Sequence, residues 1–309
     1  MGPALVEALL SKFPDHEDDE FSKFIENNNH NGKWLISSDF CINAPNHPNR
    51  TWAISIIPMD DDPEKISDRI SLAIPKDLKH VKNISQQAID LFKNTQMFHF
   101  AFILKGHQNI IPYATGIKDP EATKNYISLL ISSLNNSDCP RERLKPFKLL
   151  LETSRAKGFN HKLFADMIAT ASLLSFISVK LIRRGAHLIG LFPDRDKMTS
   201  WCDGVYSDFV QLYIAGVLEK HKEQTSCYEI KKAVPAATQN NGTWYDDFVR
   251  LPDYLAGVIA KWDIDSNIID SEKQKSFFIN NIVDAKNIAT IRITFDRELL
   301  IEKIIAKRR

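Results

Sequence analysis

Residues 163 to 192 constrain this chain more than any other stretch. "LFADMIATASLLSFISVKLI" is an apolar run at helical length, and the spacing predicts a helix over 161–183. Gly185 suits the position just past its C-terminus. The chain then enters "AHLIGLFPDRD", a continuous apolar strand of the kind buried on both faces. Such a strand needs helices packed on each side of its sheet, which points to a layered α/β architecture. Asp166 and Lys180 interrupt the apolar run, and a bilayer span needs about 20 nearly uncharged residues. The run therefore reads as a buried helix, and no membrane association is expected.

The 309 residues are 43% hydrophobic and 26% charged, enough for one large core. A net charge of +1 excludes a globally basic or acidic partner-binding chain. Charge is nonetheless uneven. "DHEDDEFSKFIE" carries six carboxylates and one lysine, and "RELLIEKIIAKRR" five basic residues and two acidic. Both fit solvated ends, an acidic regulatory arm or a phosphate-touching tail. Four cysteines (Cys41, Cys139, Cys202, Cys227) without a CxxC pair suggest a reduced, cytoplasmic protein. The N-terminus has no basic segment before a long apolar one, so no signal peptide is expected.

Residues 1–32 read as a helix and an acidic, Asn-rich arm. "KWLISSDFCI" and "TWAISIIPM" form a predicted hairpin around the loop "NAPNHPNR". Ile66, Ile70 and Ile74 step by four, predicting a helix, and "ISQQAIDLFKN" predicts another before the strand "MFHFAFILKG". Helices follow over 121–135 and 142–156, then the long helix and its strand, a helix over 200–220, a strand near 226–234 and a polar loop over 238–247. The tail, 269–309, reads as helix, strand and helix. The expected organisation is one α/β domain over 33–265, with the arm before it and an extension over 266–309.

No phosphate loop, GxGxxG, HExxH or GxSxG is present, and the nine histidines are scattered. His99, alternating with phenylalanines, reads as a structural histidine. The remaining candidates are aspartates at strand ends and helix starts. Asp39 lies inside a predicted strand, where an unpaired carboxylate is costly if buried; a solvent-facing hairpin edge is the other reading. Asp194 follows the apolar strand, where ligands collect in open α/β sheets, although "PDRD" is also ordinary turn chemistry. In "VRLPDYLAGVIAKW", Leu251, Tyr254, Leu255, Val258, Ile259 and Trp262 form one apolar face. Asp253, Ala256, Gly257 and Ala260 form a second stripe of small residues topped by a carboxylate. Pro252 suits the first position of a helix, where Asp253 would also favour the dipole.

Taken together, the aspartates have the layout of an RNase H-like fold, in which carboxylates hold paired magnesium or manganese ions. "RLPDYLAGVIA" resembles the C-terminal motif (Gln-Leu-Ala-Asp-Leu-x-Ala-Gly) of the family called domain of unknown function 3800, which is regarded as RNase H-like. The order of the surrounding segments is similar over about residues 33 to 263. The resemblance implies a metal-dependent nuclease using Mg2+ or Mn2+, with Asp39, Asp194 and Asp253 as metal ligands and nucleic acid as partner. The family's Asp-Glu-Ser-Gly is here Asp39-Phe40-Cys41-Ile42, and Arg250 and Pro252 replace its glutamine and alanine. Asp196 and Asp247 are the nearest substitutes for a fourth carboxylate. Lys105 and Arg195 could neutralise phosphate, or be solvated cations, and Trp201 and Trp244 could stack on bases, or pack. The departures keep open a degenerate member that binds a protein or nucleic acid, or a module for a small nucleotide.

Overall fold

The computed structural model describes residues 4–14, 19–41, 47–115, 121–135, 144–223, 227–232, 243–296 and 298–306. Two helices, α1 (Ala4–Lys12) and α2 (Glu20–Asn28), precede the strands β1 (Lys33–Cys41) and β2 (Thr51–Pro58). Helices α3 (Pro63–Ala73) and α4 (Gln86–Phe92) lead to β3 (Phe98–Lys105). Four helices follow: α5 (Ile110–Thr115), α6 (Glu121–Asn135), α7 (Leu144–Ser154) and α8 (His161–Arg183). Then come β4 (Leu188–Pro193), α9 (Lys197–Ser200), α10 (Val205–Lys220), β5 (Glu229–Lys232) and α11 (Asp246–Ala260). A short ribbon of β6 (Trp262–Asp263) and β7 (Ile268–Ile269) precedes α12 (Glu272–Phe277), β8 (Ile288–Phe295) and β9 (Leu299–Ile304).

Seven strands form one mixed sheet in the order β5-β4-β1-β2-β3-β8-β9. β1 pairs antiparallel with β2 and parallel with β4, so it is central rather than a hairpin edge. Side chains alternate across the sheet, and both faces are covered. Trp34, Ile36, Trp52, Ile54, Phe100 and Phe102 face α1, α2, α8 and α10. Leu35, Ala53, Ala101 and Ile103 face α3, α4 and α11. Full cover explains why every residue of β2 is buried.

The long apolar run is α8, and its 18-residue apolar window, long enough to cross a membrane by length and composition, is buried inside the protein. Its hydroxyl groups are satisfied within the helix: Ser172, Ser175 and Ser178 each donate to the carbonyl four residues back, at 2.7–2.9 Å. The two charges that interrupt it are paired. Asp166 contacts His107, both almost fully buried, and Lys180 (1% exposed side chain) donates to the Phe13 carbonyl at 3.1 Å and reaches Asp19 at 3.3 Å. Asp19 also caps α2.

Two features differ from the sequence reading. Residues 1–32 are more than an arm: Leu5, Val6, Leu9, Phe21, Phe24 and Ile25 are buried in the main core. Residues 15–18 of the acidic arm lie outside the described residues, as do 42–46, Cys139, residues 226 and 233–234 of the expected strand, 238–242 of the polar loop and the tail 307–309. The last element is strand β9, not a helix. "LLIEKI" alternates against β8, with Ile301 buried opposite Ile293 and Arg292 paired to Glu302 across the strands at 2.9 Å. That tertiary pairing outweighs the helical preference of a Leu-, Glu- and Lys-rich segment. The extension is thus helix, strand, strand, and β8 joins the main sheet parallel to β3.

Candidate carboxylate cleft

Parallel pairing places the C-terminal ends of β1 and β4 side by side. Ser38 aligns with Pro193, and the Asp194 amide donates to the Ser38 carbonyl at 2.8 Å. Asp39, the next residue of β1, points to the α11 face with Leu35, and Asp194 adjoins it from the end of β4. Asp253 arrives from α11, which crosses β1, β2 and β3. Asn49 secures the far end of that helix, donating to the carbonyls of Ile259 (2.9 Å) and Trp262 (2.6 Å).

Helix α11 begins at Asp246, six residues before the Pro252 start that a first-turn Asp253 requires. Pro252 lies inside the helix and cannot donate to the carbonyl of Phe248. Asp253 is therefore no helix cap. Its Oδ2 instead accepts the Leu78 amide at 2.7 Å, across the cleft wall. The small-residue stripe allows this approach, since a Cβ on Gly257 would stand 2.4 Å from Leu78 Cδ2.

The three aspartates converge on one cleft of about 500 Å³. All three are half-buried, and each uses one oxygen on a backbone amide: Asp39 on Phe40 (2.6 Å), Asp194 on Arg195 (2.8 Å) and Asp253 on Leu78. These bonds clamp the carboxylates and leave each a second oxygen. Asp39 and Asp253 act on each other electrostatically, so the two titrate as a linked pair. Burial pushes the Asp39 carboxyl well above its usual range, and the charges of Asp194 and Asp253 push it further. Burial also raises Asp194 and Asp253, each with a contribution from Asp77, while their backbone bonds oppose the shift. Nearby Cys41 is pushed up to about 11 by burial and by Asp39 and Asp253.

The carboxylates missed in the sequence are Asp77 and Asp246, both lining the cleft. Asp77 sits before a single 3-10 turn at Leu78–His80, a place no periodic pattern marks. Asp246 was legible: Asp246, Val249, Arg250 and Asp253 fall at i, i+3, i+4 and i+7, and all four line the cleft. Reading the helix as starting at Pro252 concealed this. Its neighbour Asp247 turns away, paired with Arg250 and accepting from Ser67 Oγ at 2.7 Å. Asp196 caps α9 through the amides of Met198 and Thr199, both at 2.8 Å, and lines an adjoining cleft instead.

Arg195 lines the carboxylate cleft, 3.8 Å from Asp246. Lys105 does not. It lies four residues beyond Ala101, which aligns through Ala53 with Asp39, two strands away. Trp201 packs against Phe159 and Phe164, with ring centroids 5.4 and 6.5 Å apart. Trp244 is 45% exposed and meets Phe192 edge-on at 5.1 Å, and neither tryptophan lines the cleft. His99 is fully buried beside Ser55 Oγ (2.8 Å), and burial pushes it down to about 3, as a structural histidine requires.

Chemically, the donor set is all oxygen, the class that hard divalent cations prefer. Among the described residues, no three His, Cys, Asp or Glu side chains stand close enough to share a metal ion as placed. No protein-family model matches the chain, and no curated protein or solved structure matches it either.

Proposed function

We propose that this chain is a divalent-metal-dependent nuclease with an RNase H-like domain, hydrolysing phosphodiester bonds in DNA or RNA. One observation carries the reading: Asp39, Asp194 and Asp253, from three separate elements, line one cleft in which burial raises the proton affinity of each, and Asp194 and Asp253 raise that of Asp39 further. Half-buried like charges cost stability, so their convergence calls for a cation to relieve it. The sheet order, with β1-β2-β3 antiparallel on one side and β4 and β5 parallel on the other, supports the RNase H-like arrangement. So does the resemblance of "RLPDYLAGVIA" to the domain of unknown function 3800 family.

Asp39, Asp194 and Asp253 would hold the cations through the oxygens not engaged by backbone amides. Asp77 and Asp246, not Asp196 or Asp247, are the available fourth carboxylates. Magnesium or manganese, when bound, supplies the Lewis acidity that activates water and stabilises the leaving oxygen. Asp39 holds its proton more tightly than a free carboxyl, so a cation would compete with that proton and metal affinity is expected to rise with pH. Lys79 and Arg195, on the cleft wall, orient a substrate phosphate.

The test is cleavage of single- and double-stranded DNA and RNA with Mg2+ or Mn2+. Asp253→Asn keeps an acceptor for the Leu78 amide and is expected to lower cleavage about 100-fold, the upper end for losing a metal-tuning group. Unchanged cleavage by the variant would sink the assignment. The separation of the carboxylates favours one other reading, a module that binds nucleic acid without cutting it. Salt-sensitive binding with no cleavage under any metal would establish that one.

A further inference from the structure

A second cleft, of about 490 Å³, opens on the other side of the β4 terminus. Its charge is the reverse of its neighbour's. The carboxylate cleft sets five carboxylates among three cations, whereas this one sets Arg195, Lys197 and Lys232 against Asp196 alone. Asp196 is already engaged with the amides that it caps. Lys197 and Lys232 are exposed, and neither forms an ion pair among the described residues. The Lys232 ammonium lies over Gly204, 3.4 Å from where a Cβ would stand, at the start of the 16-residue helix α10. The floor is different in kind: Leu191, Pro193 and the largely buried Tyr206 and Tyr245 line it.

A cationic rim over an apolar, aromatic floor suits a ligand with a phosphate at one end and a flat apolar body at the other. Arg195 lines both clefts, so the two sites are joined at one residue. We infer that this second cleft is a nucleotide subsite. It holds the single-stranded unit next to the scissile phosphate, with phosphate on Lys197 and Lys232 and the base against the tyrosine floor. The inference rests on the nuclease reading for its substrate, but its test does not depend on cleavage.

The full chain carrying Asp253→Asn, which suppresses cutting, would be titrated into fluorescein-labelled 12-nucleotide single strands of DNA and RNA. Adding Lys197→Gln and Lys232→Gln together is expected to weaken binding about tenfold. The slope of log affinity against log salt should flatten by roughly 1.4, about 0.7 for each phosphate contact on a single strand. The pair Lys93→Gln and Lys286→Gln, exposed and outside both clefts, removes the same charge and should leave affinity within twofold. A nucleoside monophosphate should displace the strand at lower concentration than inorganic phosphate. Equal affinity for the two double variants, or no binding of either strand by the parent chain, overturns the subsite. Equal competition by phosphate and nucleotide overturns the floor's role. Lysine-dependent binding, together with no cleavage by the unsubstituted chain under Mg2+ or Mn2+, would leave the subsite standing and sink the nuclease.

Discussion

The two faces of the central sheet treat buried charge in opposite ways. Over α8, the two buried charged residues each meet a polar partner: Asp166 lies against His107, and Lys180 meets Asp19 and a carbonyl. At the end of β1 and β4, on the α11 face, carboxylates are withdrawn from water toward one another. The first arrangement holds the fold together. The second works against the fold, and a protein keeps such a cluster where its charge is used.

The comparison can be broken most forcefully at the paired face. Removing one partner of a buried ion pair leaves the other uncompensated, at a cost of about 3 kcal/mol or more. Asp19→Ala should therefore lower stability by about that much, because Lys180 loses its carboxylate partner and the N-cap of α2 is lost. Urea unfolding measures it, and a change under about 1 kcal/mol would mean that the pair contributes little to the fold.

At the cleft the sign should reverse. The folded pKa of Asp39 lies above its unfolded value near 4, so the folded state binds the proton more tightly. Its contribution to stability is fully present below the unfolded pKa and is lost as pH rises through the folded one. Asp39→Asn removes that loss. The variant should be more stable at pH 7, by on the order of 1.4 kcal/mol for each pH unit separating the folded and unfolded values, with a flatter profile above pH 4. Thermal melts across pH 4 to 8 would show it, and a destabilised variant would contradict the repulsion.

The effect absent at neutral pH lies at His99, which answers burial by staying neutral. Its folded pKa is pushed down to about 3, so stability should fall as pH drops below the unfolded value of about 6.5. The slope is at most about 1.4 kcal/mol per pH unit. His99→Gln should abolish that slope, and an unchanged acid limb would assign it to another group.

Much of this was legible in the sequence because it depends on local periodicity. The apolar run of α8, its glycine stop and the strand after it announce themselves through composition and spacing. Asp39, Asp194 and Asp253 stood out because a carboxylate is unusual in an apolar strand or beside a small-residue stripe. Asp246 was present at helical phase with Asp253, hidden by a proline that normally opens a helix and here sits within one. Strand β9 was misread because its Leu, Glu and Lys favour a helix until β8 offers a pairing edge.

The sequence by itself determined most of the elements and the three candidate carboxylates, because helical and strand periods and the oddness of a charge among apolar residues are local properties. Tertiary structure alone decided which carboxylates face one another. Asp77 enters the cleft only because α11 brings Asp253 to the Leu78 amide, 175 residues away in the chain. Likewise, Arg195 borders two clefts of opposite charge only because β4 ends between them. Charge repulsion depends on distance through space, and spacing along the chain does not encode it.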